Sequence, residues 1–164
     1  MIKKNLIKDF LIILSIFFLD RVSKLYVISF YEKSSNIEIF LSKYLNLYLT
    51  WNKGIAFGMF SFNEEKFYNF MTYIILTIII IIFFLMVKNS GYKRFSLLLI
   101  LGGALGNFFD RVYYKAVPDF IDFHIDKFHW FTFNVADIFI SVGVFFMIFL
   151  EFTDKSKNNK NEYF

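Results

Sequence analysis

The stretch Gly102–Asp137 reads GGALGNFFDRVYYKAVPDFIDFHIDKFHWFTFNVAD and decides the fold. It begins in an apolar segment, crosses a polar loop and enters a second apolar segment that carries Asp137 near its start. Five aspartates and Arg111 lie within it, in a chain rich in Phe, Ile and Leu. Charged side chains beside membrane spans are costly and usually functional. The stretch therefore predicts a membrane fold and the position of a functional site.

The composition also predicts a membrane protein. The 164 residues fit a single domain, 1–164, and 57% of them are hydrophobic, with a mean hydropathy of +0.52. Soluble globular proteins rarely reach these values. The absence of Cys excludes disulfides and thiol nucleophiles, and two histidines do not favour a histidine-rich metal centre. We assign the net charge of +4 to membrane orientation and predict no nucleic-acid partner.

Four apolar segments are long enough to span a bilayer, which takes roughly 20 residues at 1.5 Å each. They cover about residues 10–30, 67–87, 95–113 and 134–152. Charges at Asp20, Arg21 and Lys24 interrupt the first segment, and no small-x-small cleavage site follows it. We therefore predict a retained helix there instead of a secretory signal. The predicted fold class is mainly α, a polytopic membrane protein with four transmembrane helices.

The basic residues that flank these helices predict the orientation of the chain. They precede helix one, fill the link between helices two and three, and follow helix four: Lys3, Lys4, Lys8, Lys88, Lys93, Arg94, Lys155, Lys157 and Lys160. With four crossings all three groups share one side, which the positive-inside bias makes cytoplasmic. Both termini are therefore predicted to be cytoplasmic, and the polar tail 154–164 is predicted to be disordered.

Two segments are then expected to face outward, residues 31–66 and 114–133. Alternation in the first segment places four apolar side chains on one face of a strand: Leu45, Leu47, Leu49 and Trp51. This pattern predicts a small extracytoplasmic β-sheet between helices one and two. The glycines of Asn52–Phe60 allow turns and close approach of backbone. The second outward segment is predicted to be a loop that joins helices three and four.

Several polar residues lie within the predicted helices. Asp20 and Lys24 are spaced i, i+4, and we prefer a structural ion pair over direct catalysis for them. Near the outer end of helix three, three polar residues share one face: Asn107, Asp110 and Arg111. Two explanations remain open for these residues. Asp110 forms a buried ion pair with Lys24 or Arg111, or the residues contact substrate.

The pair Asp119 and Asp137 offers the most informative chemistry. Asp119 follows the outer end of helix three, while Asp137 lies about three residues into helix four, so both can reach the outer membrane boundary. Two adjacent carboxylates can share a proton and hydrolyse an amide by acid–base catalysis. From spacing alone they can equally be solvated loop and helix-cap charges.

Four further polar residues of the stretch are interpreted as surface-loop residues: Asp122, His124, Asp126 and His129. A metal site formed by them is the weaker alternative, because their spacing matches no familiar ligand pattern.

The residues resemble one known family, the lipoprotein signal peptidases or type II signal peptidases, aspartic peptidase family A8. Five stretches occur in the family's order and carry the resemblance: Asp20–Lys24, Asn52–Gly58, Gly102–Arg111, Val117–Phe120 and Phe133–Asp137. Together they cover a four-helix chain of the family's length. Ile55 departs from the pattern, since a small Ala is usual at that position.

The resemblance implies roles for nine residues. It implies that Asp119 and Asp137 are catalytic. It implies that four residues line the site and hold substrate or the catalytic pair: Asn52, Asn107, Arg111 and Asn134. It implies that three more support the fold around it: Asp20, Lys24 and Asp110.

The resemblance further implies that the substrates are diacylglyceryl-modified prolipoproteins, cut before the lipidated Cys without a metal or cofactor. Membrane lipids and globomycin-type inhibitors are the other implied partners. The implied location is the bacterial inner membrane, with the active site at its outer face.

Two other classes of function compete with a peptidase. Acids along the helices could form a small transporter or proton relay, and the outward sheet could dock a partner in a non-enzymatic assembly factor. The gathering of acids at one end of the helices favours the peptidase, because a relay needs them across the whole bilayer.

Overall fold

The computed structural model describes residues 2–34, 39–54, 64–126 and 128–161. Its elements, in chain order, are α1 (Ile2–Ser34), β1 (Ile39–Ser42), β2 (Leu45–Asn52), α2 (Glu64–Lys88), α3 (Gly91–Tyr113), β3 (Val117–Ile125), β4 (Phe128–Phe133) and α4 (Val135–Asn161). The protein is therefore mainly helical, with a small antiparallel sheet. Helix α4 continues to Asn161, so residues 154–161 of the predicted disordered tail are helical.

Three helices in the described ranges are long and apolar enough to cross a membrane: Glu65–Lys88, Gly91–Tyr113 and Val135–Thr153. Helix α1 is longer, but Asp20, Arg21 and Lys24 interrupt its apolar stretch. Many large apolar side chains of these helices, such as Phe84 and Phe145, are exposed. Side chains of this kind on the outer faces of long apolar helices are suited to lipid, so the chain is a membrane protein.

Helix α3 is the centre of the helical bundle, since it packs against α1, α2 and α4. Half of the residues in the most apolar 18-residue stretch of α3 are buried, compared with 11% in the corresponding stretches of α2 and α4. Glycines allow this close packing. A Cβ atom on Gly103 would lie 2.5 Å from the carbonyl oxygen of Ala136, and one on Gly106 would lie 2.5 Å from a carboxylate oxygen of Asp20.

The sheet joins two segments that are distant in sequence. Its strand order is β1-β2-β3-β4, and every neighbouring pair is antiparallel. The prediction of a loop between α3 and α4 was wrong, because that segment supplies β3 and β4. The predicted sheet between α1 and α2 is therefore only half of the sheet. Pairing of β2 with β3 places Thr50 opposite Asp119 and Asn52 opposite Val117.

The predicted alternation along β2 holds only in part. Leu45, Leu47 and Leu49 are half-buried, but Trp51 is exposed and the polar Asn46 is buried. The register of β2 against β3 shifts between Leu47 and Thr50. A shift of this kind breaks strict alternation, since an added residue turns the following side chains to the other face.

Candidate active site

The first acid of the site, Asp119, lies on β3 and is only 2% exposed. Both of its carboxylate oxygens accept hydrogen bonds from asparagine side chains. Asn52 Nδ2 donates to Oδ2 at 2.9 Å, and Asn134 Nδ2 donates to Oδ1 at 2.6 Å. Because Asn52 belongs to β2, the pairing of β2 with β3 brings this donor to the acid.

Burial raises the pKa of Asp119 above its ordinary value. Hydrogen bonds from Asn52 and Asn134 act in the opposite direction, because they favour the ionised carboxylate. The negative charge of Asp137 adds to the increase. Asp119 therefore keeps its proton to a higher pH than an exposed aspartate does.

The second acid, Asp137, lies in the first turn of α4. Its Oδ2 accepts the backbone N–H of Asn134 at 3.1 Å, and its own N–H donates to Asn134 Oδ1 at 3.1 Å. These reciprocal bonds form a capping box, with Asn134 at the N-cap and Asp137 three residues later. The remaining oxygen, Oδ1, accepts Asn107 Nδ2 at 2.7 Å.

Asn134 therefore contacts both acids and is itself fully buried. Its side-chain nitrogen bonds to Asp119, while its backbone N–H and side-chain oxygen bond to Asp137. Since its oxygen is used by the helix cap, its amide group has one favourable orientation. One residue thus holds the two carboxylates next to each other.

A buried group of charged side chains lies behind Asp137. Lys24 Nζ donates to Asp20 at 2.9 Å, to Asp110 at 2.6 Å and to Asn107 Oδ1 at 2.8 Å. Arg21 lies 2.5 Å from Asp110, so two cations neutralise two acids. The predicted ion pair of Asp20 with Lys24 is present, and of the alternatives left open for Asp110 the structure shows the ion pair with Lys24.

This charged group also orients the site. Lys24 bonds to the oxygen of Asn107, which leaves the Asn107 nitrogen to donate to Asp137. Asp20 accepts the backbone N–H of Ala136 at 3.0 Å and so satisfies a free donor at the start of α4. Helix α1 is thereby joined to the turn that carries Asp137.

Arg111, near the end of α3, lies over the Tyr68 side chain, with its guanidinium carbon 5.8 Å from the centre of the ring. Its guanidinium approaches Gly54, where an added Cβ would be 3.1 Å from Nη1. Gly54 has a φ of +72° and donates its N–H to Asn52 Oδ1 at 2.7 Å, which orients the Asn52 amide. Nη1 of Arg111 is buried and has no hydrogen-bond partner among the described residues.

Hydrogen bonds and ion pairs join eight of the nine residues implied by the resemblance, and within the described ranges the side chain of Arg111 is connected to them only through its approach to Gly54, next to Asn52. Ile55, like residues 56–63 of the predicted Gly-containing turn, lies outside the described residues. Sequence reasoning missed the capping box, although the spacing Asn134-x-x-Asp137 is its signal.

The interpretation of Asp122 and His124 as surface-loop residues was wrong. Both lie on β3 and are buried, at 3% and 6% exposure. Alternation of polar and apolar residues in Asp122–Ile125 is the strand signal that could have revealed this.

Comparisons with known proteins identify the family. Residues 12–153 match the family model for "Signal peptidase (SPase) II". The chain is 51% identical over 160 residues to a lipoprotein signal peptidase of Pelagibacter ubique, with 96% of both chains covered. It is 41% identical to that of Anaplasma marginale, covering 90% of this chain and 86% of the relative.

A solved structure described as a bacterial membrane enzyme superposes with a TM-score of 0.70 at 29% identity, covering 92% of this chain and 90% of that one. The resemblance found in the sequence is thus confirmed, and nothing supports a transporter or proton relay. The chain belongs to the signal peptidase II family and is a lipoprotein signal peptidase enzyme.

Proposed function

We propose that this chain is a membrane-embedded aspartic endopeptidase in which Asp119 and Asp137 form the catalytic pair. The observation that carries the proposal is Asn134, which is hydrogen-bonded to both carboxylates. A carboxylate pair held side by side in a buried site matches the arrangement that hydrolyses amides in aspartic proteases. The substrates are diacylglyceryl-modified prolipoproteins, cut before the lipidated Cys.

The two acids divide the chemistry because their environments differ. We place the shared proton of the resting pair on Asp119, because its carboxyl is the less exposed of the two. Asp137 is only half-buried and acts as the base that accepts a proton from water. Water attacks the scissile carbonyl carbon as Asp137 takes its proton, and Asp119 protonates the carbonyl oxygen. The tetrahedral diol then collapses as Asp137 gives its proton to the leaving amine and Asp119 takes back a proton from a diol hydroxyl, which restores the shared-proton pair.

Neighbouring residues position the reacting groups. Asn52, Asn107 and Asn134 direct their amide donors at the catalytic acids, which supports a role in holding those acids. Arg111 Nη1, with no partner in the described part of the chain, is the donor we assign to a substrate backbone carbonyl.

Lys24, Asp20 and Asp110 act through their contacts as positioning and supporting residues. Globomycin-type cyclic peptides would inhibit by occupying the same cleft.

The active site belongs at the outer face of the bacterial inner membrane in this proposal. Helix α3 extends from Gly91 to Tyr113, a length of about 34 Å, close to the hydrocarbon thickness. Its first turns carry Lys93 and Arg94, and its last turns carry Asp110 and Arg111 beside the catalytic pair. The positive-inside bias places the Lys93 end in the cytoplasm, so the acids lie at the opposite boundary.

We assign a fourth crossing to α1. Its three central charges would exclude it from lipid if they were free, but Asp20 and Lys24 are fully buried against α3. Paired charges that face the bundle interior are compatible with a membrane span. Four crossings return both termini to the cytoplasm and leave the sheet outside, where a lipid-anchored substrate presents its cleavage point.

A cleavage assay tests the catalytic pair. The purified protein, in detergent or lipid, is incubated with a diacylglyceryl-modified prolipoprotein peptide. Asp119→Asn and Asp137→Asn should each lower kcat by roughly 10³-fold or more. Asp126→Asn, in the exposed β3–β4 turn, is the control and should cut at the native rate.

Three outcomes would each contradict one part of the proposal. Native cleavage by either asparagine variant removes that acid from the catalytic pair. Loss of all cleavage after chelation makes the metal-independent mechanism wrong. Equal cleavage of the peptide without its diacylglyceryl group removes the lipid requirement.

A further inference from the structure

A second cluster of polar side chains lies on the sheet, apart from the catalytic pair. It is formed by Asp122 and His124 of β3 and His129 of β4. One ligand-type atom from each lies within 4.8 Å of the others. Strand pairing explains the convergence: Asp122 and His124 are two residues apart on one face of β3, and His124 is the cross-strand partner of His129.

The nitrogen atoms of the two histidines converge on one carboxylate oxygen of Asp122. His129 Nδ1 lies 2.7 Å from Asp122 Oδ2, and His124 Nδ1 lies 3.4 Å from the same oxygen. The two imidazole rings are stacked, with centroids 5.3 Å apart and planes 28° apart. Ligand atoms around a tetrahedral Zn²⁺ with bonds of about 2.1 Å are roughly 3.4 Å apart, so small side-chain rotations suffice to admit the ion.

His124 supplies an independent indication of a ligand. It is only 6% exposed, and its Nδ1 has no hydrogen-bond partner among the residues the structure describes. The 3.4 Å approach of Asp122 lacks hydrogen-bond geometry. A buried polar atom without a partner is costly, about 1–3 kcal/mol. A bound ion would remove that cost by taking the nitrogen lone pair.

We propose that Asp122, His124 and His129 form a binding site for a divalent transition-metal ion, with Zn²⁺ as its probe. Imidazole nitrogens with one carboxylate favour Zn²⁺ and its neighbours over Mg²⁺ or Ca²⁺, which prefer oxygen ligands. Three protein ligands leave one coordination position for water. The His129 side chain is 56% exposed and provides the entry path.

The ion would stabilise the β3–β4 hairpin by linking the two strands. His124 is already anchored on its other side, where its backbone N–H donates to the carbonyl of Tyr44 at 3.0 Å. The metal site is separate from the catalytic pair, since Asp122 follows Asp119 by three residues and its side chain leaves the opposite face of β3. The proposal is therefore independent of the proposed catalytic mechanism.

Zinc binding by the full-length protein tests this site. The protein is purified in detergent through a tag without histidine, stripped with a chelator, desalted and titrated with ZnCl₂ against a chromophoric competitor. We expect one Zn²⁺ per chain, no competition from Mg²⁺, and a higher Tm with zinc, because an ion that binds only the folded state stabilises it.

The decisive variant is His129→Phe, which keeps an aromatic ring beside His124 but removes the ligand nitrogen. Because the His129 side chain is more than half exposed, we expect this variant to fold. Zinc affinity should fall roughly tenfold or more, since even loss of an outer-shell partner weakens binding by about 10–100-fold. The zinc-dependent increase in Tm should disappear with it. Asp126→Asn, an acid in the adjacent turn, and Asp119→Asn, in the catalytic pair, should both bind zinc normally.

The proposal is overturned if the wild-type chain binds no stoichiometric Zn²⁺, or if His129→Phe binds it with wild-type affinity. Loss of the ion in Asp119→Asn with retention in His129→Phe would place the metal at the catalytic pair, which also overturns it. Prolipoprotein cleavage by His129→Phe is measured alongside and should remain near the native rate, so failure of either proposal can be recognised separately.

Discussion

The contact between Gly103 and the start of α4 makes a sharp prediction for Gly103→Ala. The added Cβ would lie 2.5 Å from the carbonyl oxygen of Ala136 and 2.8 Å from a side-chain carbon of Ile140. Ordinary contact begins at 3.4 Å, so α4 must move by about 0.9 Å relative to α3. Ala136 immediately precedes Asp137, and its N–H is bonded to Asp20, so the shift displaces a proposed catalytic acid.

Gly103→Ala is expected to have a small effect on stability and a large effect on the rate of cleavage. Overpacking of this kind costs about 1–3 kcal/mol of stability, which should lower Tm by a few degrees. A displacement of about 1 Å at a reacting group costs roughly 10²-fold in rate. We therefore expect Gly103→Ala to lower kcat/KM on the lipidated peptide by about 100-fold while most of the protein remains folded.

Gly143→Ala is the matched control on the same pair of helices. Its Cβ would lie 2.6 Å from a side-chain carbon of Ile100 and 2.8 Å from the carbonyl oxygen of Ser96. Gly143 follows Asp137 by six residues, about 9 Å along α4. The control should show a similar loss of Tm with a much smaller loss of cleavage. Equal loss of cleavage in both variants, or native cleavage by Gly103→Ala, would refute positioning by close α3–α4 packing.

Two other changes have equally definite outcomes. Lys24→Met leaves the buried carboxylates of Asp20 and Asp110 undercompensated and should cost about 3–5 kcal/mol, seen as a large drop in Tm or folded yield in detergent. Adding Asp110→Asn should recover part of that loss, and a Lys24→Met chain with wild-type Tm would contradict the reasoning. Asn52→Ala removes a hydrogen bond that lowers the pKa of Asp119, so that pKa rises further. Because the protonated form is needed, the alkaline limb of the pH–kcat/KM profile should move to higher pH, and a shift to lower pH would show that Asp119 is not the proton donor.

Local patterns in the sequence were sufficient for much of the helical part. The segments that became α2, α3 and α4 are apolar over a bilayer length, and hydropathy depends only on neighbouring residues. The Asp20–Lys24 contact was likewise predictable, because an i, i+4 spacing places two side chains together on any helix. The family resemblance rests on short motifs of the same local kind.

Tertiary structure alone decided how distant groups meet. Asn52 reaches Asp119 across 67 residues only because β2 pairs with β3, and the β2 register includes a shift that alternation does not predict. The β3–β4 pairing likewise turned His124 and His129 from apparent loop residues into a convergent cluster. Strand partners and register are set by packing between remote segments, whereas helix formation and membrane insertion follow from neighbouring residues.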